Sequence, residues 1–329
     1  MTALAATNAR PTVELAAWAR RNTWTLGLLL LLVLLLAFTK TIQPNYGAFG
    51  IQGLGTSIMP LAFATVAQAI VVIAGGIDLS IGSMMALTSV VAATLMQGQG
   101  DAFGLAVVAG VLLLGILLGA INGALVVSTR VPDIIVTLAT FYVWAGLALL
   151  VRAAPGGAAS PWLMSLASGP LFSEWLPKAA IVLVVVVAVV WIPLARSRLG
   201  VSFYAVGSDQ LAAFRSGVAI GRTKVAAYAI AGLFGAVAGL SLTASTGIGT
   251  PVPGPYTLQS VAAVVLGGVS LAGGRGGVLG PIIAVIVLQL IQNDTTFLGI
   301  DPNYALVIQG VILVGVLILG SILESRRAD

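Results

Sequence analysis

Long apolar stretches separated by short polar segments occupy almost the whole chain from about Trp24 to Ser321. A membrane-spanning helix needs roughly 20 apolar residues, and ten stretches reach or approach that length. They cover residues 23–41, 54–74, 80–97, 104–127, 134–151, 179–194, 225–246, 257–272, 277–293 and 303–321. Several are short or adjoin a neighbour, so counts of nine and eleven stay open. The alternating pattern of a membrane β-barrel does not occur. The sequence therefore predicts an all-α polytopic membrane protein with about ten transmembrane helices.

The composition agrees with a chain that lies almost wholly in the bilayer. Hydrophobic residues make up 59% of the 329 residues and charged residues 8%, whereas soluble domains carry about 25% charged residues. We therefore predict a single transmembrane domain over residues 1–329 and no soluble domain. Its main polar segments are a tail at 1–22, a long loop at 195–224 and a second tail at 322–329.

Basic residues are distributed unevenly between the two sides of this predicted domain. With ten helices and a cytoplasmic N-terminus, Lys40, Arg152 and Lys178 fall on the outer side, and the other Lys and Arg residues fall on the cytoplasmic side. Positive charge favours the cytoplasmic side, so both termini and the 195–224 loop are predicted to face the cytoplasm. The same bias explains a sequence pI near 9.9 without a nucleic-acid partner.

The residue types that most enzymes use are missing from this sequence. It has no Cys and no His, which removes thiol nucleophiles, nucleophile–His pairs and the usual metal ligands. The phosphate-binding pattern G-x-x-x-x-G-K-[S/T] does not occur, and the ten carboxylates are scattered along the chain. We expect no catalytic residue, no metal site and no cofactor.

One polar segment separates two apolar stretches with almost no loop between them. It reads Gly75-Gly-Ile-Asp-Leu-Ser-Ile-Gly-Ser83. Glycine permits a tight turn, and an acid at membrane depth is costly and marks function by default. Asp78 or Ser80 is predicted to cap the following helix. Contact with a substrate, or transmission of movement, is the alternative, and one isolated acid argues against proton or sodium coupling.

The 195–224 loop contains a second candidate element, between Gly207 and Gly217. Ser208 is placed to cap a short helix, and Asp209 falls in its first turn, where negative charge is favoured. The loop is therefore predicted to carry a helix on the cytoplasmic side.

This predicted helix has an apolar face. Leu211, Phe214 and Val218 fall at i, i+3 and i+7, which places them on one side of an amphipathic helix. The face buries either against its own membrane domain or in a groove of a cytoplasmic partner.

An internal similarity raises the question of a two-fold repeat. Residues 73–80, Ile-Ala-Gly-Gly-Ile-Asp-Leu-Ser, resemble residues 265–272, Val-Leu-Gly-Gly-Val-Ser-Leu-Ala. Transporters are often built from repeated halves, and ten helices divide into five and five, which would invert the second half. The matched segments would instead run in the same direction, so the sequence leaves the repeat open.

Glycines also recur at spacings of three to five residues within two apolar stretches. Such spacing lets helix backbones approach each other closely, so we predict helix packing at these positions. They are Gly110, Gly115, Gly119 and Gly123 in one stretch and Gly232, Gly235 and Gly239 in another.

The motifs resemble those of permease subunits of bacterial ABC importers for ribose and related monosaccharides. Residues 75–83 are similar to that family's signature, and four further segments match in the right order. These are Gly119–Leu125, Val131–Thr140, Phe203–Val218 and Val265–Gly274. Two departures are that Gly207-Ser208-Asp209 stands where the family more often has Gly-Gly-Asn, and that Ile134 stands where it often has an aromatic residue.

The resemblance implies a transport subunit and no enzyme. It implies a permease in the bacterial inner membrane that moves a monosaccharide delivered by a periplasmic sugar-binding protein. The implied partners are two cytoplasmic ATPase subunits or one tandem ATPase, and a second permease chain that is identical or related. The implied pathway or helix-break residues are Gly75, Gly76, Asp78, Ser80, Gly82, Asn122 and Thr137. The implied ATPase-coupling residues are Gly207, Ser208, Asp209, Leu211, Phe214, Arg215 and Gly217.

Other functions stay open at the level of the sequence. The same architecture can carry branched-chain amino acids, purine nucleosides or a signalling sugar derivative. An ion-coupled secondary transporter would need more intramembrane ion ligands than Asp78. A purely structural membrane scaffold would not need a polar helix break or a coupling-like helix. The sequence does not name the sugar.

Overall fold

The computed structural model describes residues 23–252 and 254–301, and beyond them Tyr304, Val307, Gly310, Val311, Val314 and Gly315. Residues 23–301 of this described part form twelve α-helices. In chain order they are α1 Thr23–Ile42, α2 Ala48–Ile73, α3 Ile81–Met96, α4 Asp101–Thr129, α5 Asp133–Val151, α6 Pro161–Ala167, α7 Lys178–Arg196, α8 Arg198–Ser208, α9 Gln210–Arg215, α10 Ile220–Thr246, α11 Tyr256–Leu266 and α12 Leu279–Phe297. Only isolated bridges join extended residues within the same part, in agreement with the all-α prediction.

Nine of the ten predicted apolar stretches are helical. α2 begins six residues earlier than expected, at Ala48. α11 ends at Leu266 rather than at residue 272, because Gly268 adopts a left-handed φ of 81° and such a residue terminates a helix. The tenth stretch, 303–321, lies outside the described residues except for the six named above, which are helical. The predicted tails at 1–22 and 322–329 lie outside them entirely.

Seven described helices are long and apolar enough to cross a membrane, namely α1, α2, α4, α5, α7, α10 and α12. α3 and α11 contain 16 and 11 residues, which is about 24 and 16 Å of helix. A hydrocarbon core is about 30 Å thick, so neither helix spans it alone. The chain is a polytopic helical membrane protein, but the described part holds seven full-length helices, and the predicted count of about ten is not reached.

α2 and α10 form the centre of the domain and run antiparallel. Every residue of α2 from Ile58 to Ile73 is buried. Phe63 stacks on Phe234 of α10 with ring centroids 6.5 Å apart. Gly76, just beyond the end of α2, lies against Tyr228 near the start of α10.

α4 packs along α10 through glycine backbones, as the glycine spacing predicts. A Cβ on Gly119 would collide with the carbonyl of Tyr228, and a Cβ on Gly232 would collide with the carbonyl of Gly115. The close approach therefore requires glycine at these positions. Gly110 has open space beside it and does not contribute. The other members of the two series, Gly123, Gly235 and Gly239, pack on Val225, on Met84 and on Met85 with Thr88.

The two ends of the domain are distinguished by their short helices. α8 and α9 lie at the end that we call the α9 side, where Gly207 contacts the C-terminus of α2 at Ile73. The loop before α6 lies at the opposite end, the α6 side. There Gly156 exchanges backbone hydrogen bonds of 3.0 and 2.8 Å with Gly249, which follows α10.

In two places inside the domain, a long helix is followed by a non-helical segment and then by a shorter helix. Residues 74–80 connect α2 to α3, and residues 247–255 connect α10 to α11. α3 runs parallel to α10 towards the α6 side, and α11 runs back towards the α9 side, where Gly273 lies against Gly207. The N-termini of α3 and α11 meet, because the Gly82 N–H donates to Thr257 Oγ1 over 3.0 Å. The two half-length helices thus meet head to head within the domain.

Candidate functional site

α2 ends in a glycine turn. Gly75 has a left-handed φ of 79°, and the N–H groups of Gly75 and Gly76 donate to Val72 and Val71 at 2.9 and 3.0 Å. A Cβ on Gly76 would meet the Tyr228 hydroxyl at 2.9 Å and collide with the Asp133 carboxylate. Both glycines are therefore required by geometry, the first for its φ angle and the second for space.

The chain then continues in a non-helical conformation beside α5. The Leu79 N–H donates to Thr137 Oγ1 over 3.1 Å, and the same hydroxyl lies 3.2 Å from the carbonyl of Ile77. A side chain of α5 thus supplies the hydrogen bonds that this non-helical backbone cannot make within its own segment.

A buried polar cluster follows, formed by Asp78, Ser80 and Asn122, all of which are 0% exposed. Asp78 Oδ1 accepts from the Ser80 N–H at 2.8 Å and from Ser80 Oγ at 2.7 Å. Asn122 Nδ2 of α4 donates to Ser80 Oγ over 2.7 Å. Asp78 Oδ2 and Asn122 Oδ1 have no partner among the described residues. The cluster therefore offers two unoccupied acceptors.

The cap of α3 differs from the one expected. Asp78 bonds to Ser80, which precedes the helix, and Ser80 Oγ is engaged by Asp78 and Asn122. The first-turn N–H of Gly82 instead donates to Thr257 of α11. The prediction that Asp78 or Ser80 caps α3 is wrong, because another helix supplies the acceptor.

The seven predicted break residues thus lie together. Gly75 and Gly76 make the turn, and Asp78 and Ser80 form the cluster with Asn122. Thr137 holds the non-helical segment, and Gly82 lies in the first turn of α3.

Three residues that the sequence analysis did not select border the same turn. The Tyr228 hydroxyl donates to Asp133 Oδ2 over 3.0 Å, and Lys224 Nζ lies 3.5 Å from Asp133 Oδ1. Asp133 is the first residue of α5 and follows Pro132. The sequence signal available for Asp133 was its position after a proline at a predicted helix start. No sequence signal pairs it with Tyr228 and Lys224, which lie about 90 residues away.

A second buried carboxylate lies at the α6 side. Asp294 of α12 is 3% exposed, and its Oδ1 accepts from Thr39 Oγ1 of α1 over 2.7 Å. The pair joins the first and last described long helices, away from the break.

α8 connects to the break through backbone contacts. A Cβ on Gly207 would collide with the carbonyl oxygen of Ile73 and would come within 2.5 Å of Gly274 N. The Gly274 N–H itself donates to the Ile73 carbonyl over 3.0 Å. We call the contact among Ile73, Gly75, Gly207, Gly273 and Gly274 the glycine junction. It holds the ends of α2 and α8 and the loop after α11 together.

A tyrosine fastens α8 to that loop. The Tyr204 hydroxyl donates to the carbonyl of Gly276 over 2.8 Å. Burial raises the pKa of Tyr204 above its ordinary value, which keeps the hydroxyl protonated as a donor.

The predicted coupling segment is helical but differs in detail. Asp209, and not Ser208, is the N-cap of α9, because Asp209 Oδ1 accepts from Leu211 N and Ala212 N at 2.8 and 3.0 Å. Ser208 ends α8. α9 ends at Arg215, and Gly217 has a φ of 84°. Val218 therefore lies beyond the helix and does not extend its apolar face.

The apolar face of α9 is exposed. Leu211 is 59% and Phe214 66% accessible. Burial of this face against the described membrane domain is therefore excluded in this structure. Gly207 reaches the helix break, whereas Leu211, Phe214 and Arg215 lie on the surface away from it.

A cavity of about 370 Å³ lies between α2, α4, α6, α7 and α10. Apart from Ser241 and the indole of Trp162, its lining side chains are apolar, among them Phe63 and Val186. Such a wall suits lipid chains or apolar side chains and does not suit a polar solute.

The fold and the site together define a polytopic membrane permease with a broken-helix centre. The chain matches, over residues 50–317, the family described as branched-chain amino acid transport system / permease component. The chain belongs to this permease family.

Curated relatives agree with this assignment. The chain is 31% identical over 297 residues to the ribose import permease protein RbsC of Escherichia coli (strain K12), which covers 87% of this chain and 90% of that protein. It is 34% identical over 261 residues to RbsC of Bacillus subtilis (strain 168), covering 75% and 77%. It is 29% identical over 317 residues to the autoinducer 2 import system permease protein LsrD of Escherichia coli O9:H4 (strain HS), covering 93% and 94%. No solved structure matched the chain.

Thr257→Val should destabilise the helix break. The substitution keeps the shape of the side chain but removes the acceptor of the buried Gly82 N–H, which costs about 1–3 kcal/mol. We expect a lower Tm for the detergent-purified variant. Thr257→Ser keeps the hydroxyl and serves as the control with a smaller change. Equal melting of the Val variant and the wild type would contradict this role of Thr257.

Proposed function

We propose that the chain is the transmembrane permease subunit of an ATP-driven importer that translocates a monosaccharide delivered by a periplasmic binding protein. The observation that carries the proposal is the glycine junction, which connects the exposed apolar helix α9, through α8, to the buried polar break. The printed functions of the relatives, ribose import and autoinducer 2 import, support a sugar or a sugar-like solute.

The chemistry of the break supports a neutral polar solute. The side chains around its non-helical segment are mostly hydroxyl and amide groups, from Ser80, Asn122, Thr137 and Thr257. Asp78 accepts hydrogen bonds from Ser80 and has no basic partner in the described chain. Hydroxyls and amides donate and accept hydrogen bonds, as sugar hydroxyls do. In this proposal the seven break residues line the path.

α9 supports an ATPase partner. An exposed apolar helix face at a membrane protein's polar surface fits a groove in a partner. Leu211 and Phe214 present that face, and the charged Asp209 and Arg215 lie at the two ends of α9. Two ATPase subunits or one tandem ATPase would bind two permease chains related by two-fold symmetry. The second permease is a copy of this chain or a related one.

The two broken pairs support a repeated architecture. α2 with α3 and α10 with α11 each combine a long helix of 26 or 27 residues with a half-length helix, and the long helices are antiparallel. We assign them as inverted repeats. With the helical residues after 301, α3 and α11 would complete ten membrane helices in a single domain.

The described basic residues support a cytoplasmic α9 side in a bacterial inner membrane. Lys40, Arg152 and Lys178 lie at the α6 side. Seven lie at the α9 side, namely Arg130, Arg196, Arg198, Arg215, Arg222, Lys224 and Arg275. Both termini would then be cytoplasmic.

Labelling of single cysteines tests this orientation. Ser216 and Ser173 are exposed at opposite ends, and the chain has no native cysteine. In intact spheroplasts an impermeant thiol reagent should label Ser173→Cys and leave Ser216→Cys unlabelled until the membrane is opened. The reverse pattern would invert the assignment.

Uptake measurements test the transported solute. Cells expressing the chain with an ATPase and a binding protein from the same genome should accumulate labelled ribose or another monosaccharide in a vanadate-sensitive manner. The family description favours amino acids as the second candidate. Accumulation of leucine in place of sugars would support that candidate. Uptake driven by an ion gradient without the ATPase would contradict both.

Phe214→Ala should uncouple the permease without unfolding it. Phe214 is 66% exposed, so the monodispersity and Tm of the isolated chain should not change. An interface anchor is worth at least ~2 kcal/mol, so its loss weakens ATPase association about thirtyfold. Co-purification measures this effect. Phe172→Ala, an exposed phenylalanine at the α6 side, is the matched control and should retain the ATPase. Normal ATPase retention by Phe214→Ala would refute the coupling role.

A further inference from the structure

α2 carries two buried polar side chains that bond to nothing described. Thr65 and Gln68 are 0% exposed, and Thr65 Oγ1, Gln68 Oε1 and Gln68 Nε2 lack hydrogen-bond partners in the described chain. The remaining polar side chains of α2 are bonded. Gln52 Nε2 donates to Glu174 O at 2.8 Å, Thr56 Oγ1 to Ala167 O at 2.6 Å and Ser57 Oγ to Leu54 O at 3.0 Å.

This concentration of unpartnered atoms is unusual. Buried polar groups in native proteins are almost always hydrogen-bonded, and the bilayer core offers no water to compensate. A leucine or methionine at position 68 would fill the same space without leaving buried polar atoms unpaired. The polar atoms therefore call for a partner in another state of the protein.

The pair lies on the face of α2 that is turned away from α10. Phe63 stacks on Phe234 of α10. At 3.6 residues per turn, Thr65 and Gln68 lie about 160° and 140° around the helix axis from Phe63. Gln68 is five residues before the end of α2, so it lies roughly 7.5 Å along the axis from the glycine turn.

α11 and α12 both pack on α2, and α11 is the half-length helix that meets α3. α11 carries Thr257 and Ser260, which are buried. The Ser260 hydroxyl donates only to the Thr257 carbonyl in its own helix. Polar side chains thus occur both on α2 and on a helix packed against it, close to the break.

We infer that Thr65 and Gln68 are sugar-contacting residues that become accessible when α11 moves off α2 during transport. The inference rests on the proposed function and extends the path beyond the break residues. A cation would need acceptors alone and an anion would need donors alone. Gln68 offers both an acceptor and two N–H donors, and Thr65 offers a hydroxyl. The pair therefore suits a neutral solute with adjacent hydroxyl groups.

Cysteine accessibility tests the movement without knowledge of the substrate. Thr65→Cys and Gln68→Cys, each reconstituted in vesicles with the ATPase and the binding protein, are exposed to a small charged methanethiosulfonate reagent. Labelling should be slow without ATP and should accelerate during ATP turnover. Ala67→Cys, about 40° from Phe63 on the α10-facing side of the same helix and also buried, is the matched control and should stay unlabelled. Equal protection at all three positions during turnover would overturn the inference.

Substitution by apolar residues tests the contact. Gln68→Leu removes the unpartnered amide, so its Tm should equal or exceed that of the wild type, whereas uptake of labelled ribose should fall about tenfold, the effect of about one lost hydrogen bond. Thr65→Val should act in the same direction. Thr94→Val removes another buried hydroxyl without a partner, in α3, and should leave uptake unchanged. Normal uptake by both α2 variants would overturn the sugar contact.

The two hypotheses fail in different ways. If the wild type imports none of the sugars tested, the proposed function fails. Labelling of Thr65→Cys and Gln68→Cys that still depends on ATP would then support the same path for a different solute. If the wild type imports sugar and the α2 variants behave like the controls in both assays, this inference fails and the proposed function stands.

Discussion

A backbone that leaves the helical path inside a membrane must have its N–H and C=O groups bonded by the protein itself. This constraint governs the break after α2. The N–H of Leu79 is bonded by Thr137, that of Ser80 by Asp78 and that of Gly82 by Thr257. Two of these acceptors come from α5 and α11. The break therefore forms only when distant helices are assembled around it, and the same bonds position the polar groups that make it a candidate path.

Sequence patterns predicted the parts of this arrangement that local chemistry decides. Apolar length located nine helices, glycine spacing located the α4–α10 contact, and the family resemblance directed attention to Asn122 and Thr137, which hold the break. The cap of α3 was missed because its acceptor lies 175 residues away, and several side chains near the helix could in principle have served. The end of α11 was also missed, since apolar composition continues through the glycine turn after Leu266 and only backbone geometry ends the helix.

The internal sequence match and the proposed inverted repeat concern different parts of the fold. α2 and α11 both end in the same type of turn, with a left-handed glycine, Gly75 in one and Gly268 in the other. In each turn the residue after the glycine donates to a carbonyl five positions back, Gly76 to Val71 and Val269 to Val264, as in a Schellman motif. Both turns lie at the α9 side, so the matched segments do run in the same direction. The proposed inversion relates the two helix pairs, whose long helices α2 and α10 run antiparallel, and the sequence match does not reveal it.

The glycine junction gives the proposed coupling a physical basis. Side-chain contacts can absorb a displacement by changing rotamer, whereas backbones in direct contact have no such freedom, and close-packed interiors transmit strain. Gly207 touches the end of α2 and the loop after α11 at once. A force applied to α9 therefore acts on both helices through one point. α2 carries the unpartnered side chains of Thr65 and Gln68, and α11 carries Thr257, whose hydroxyl accepts from the first turn of α3. In the proposed mechanism, relative motion of α2 and α11 would expose polar surface and loosen the helix break together, so a single displacement at α9 would act on both.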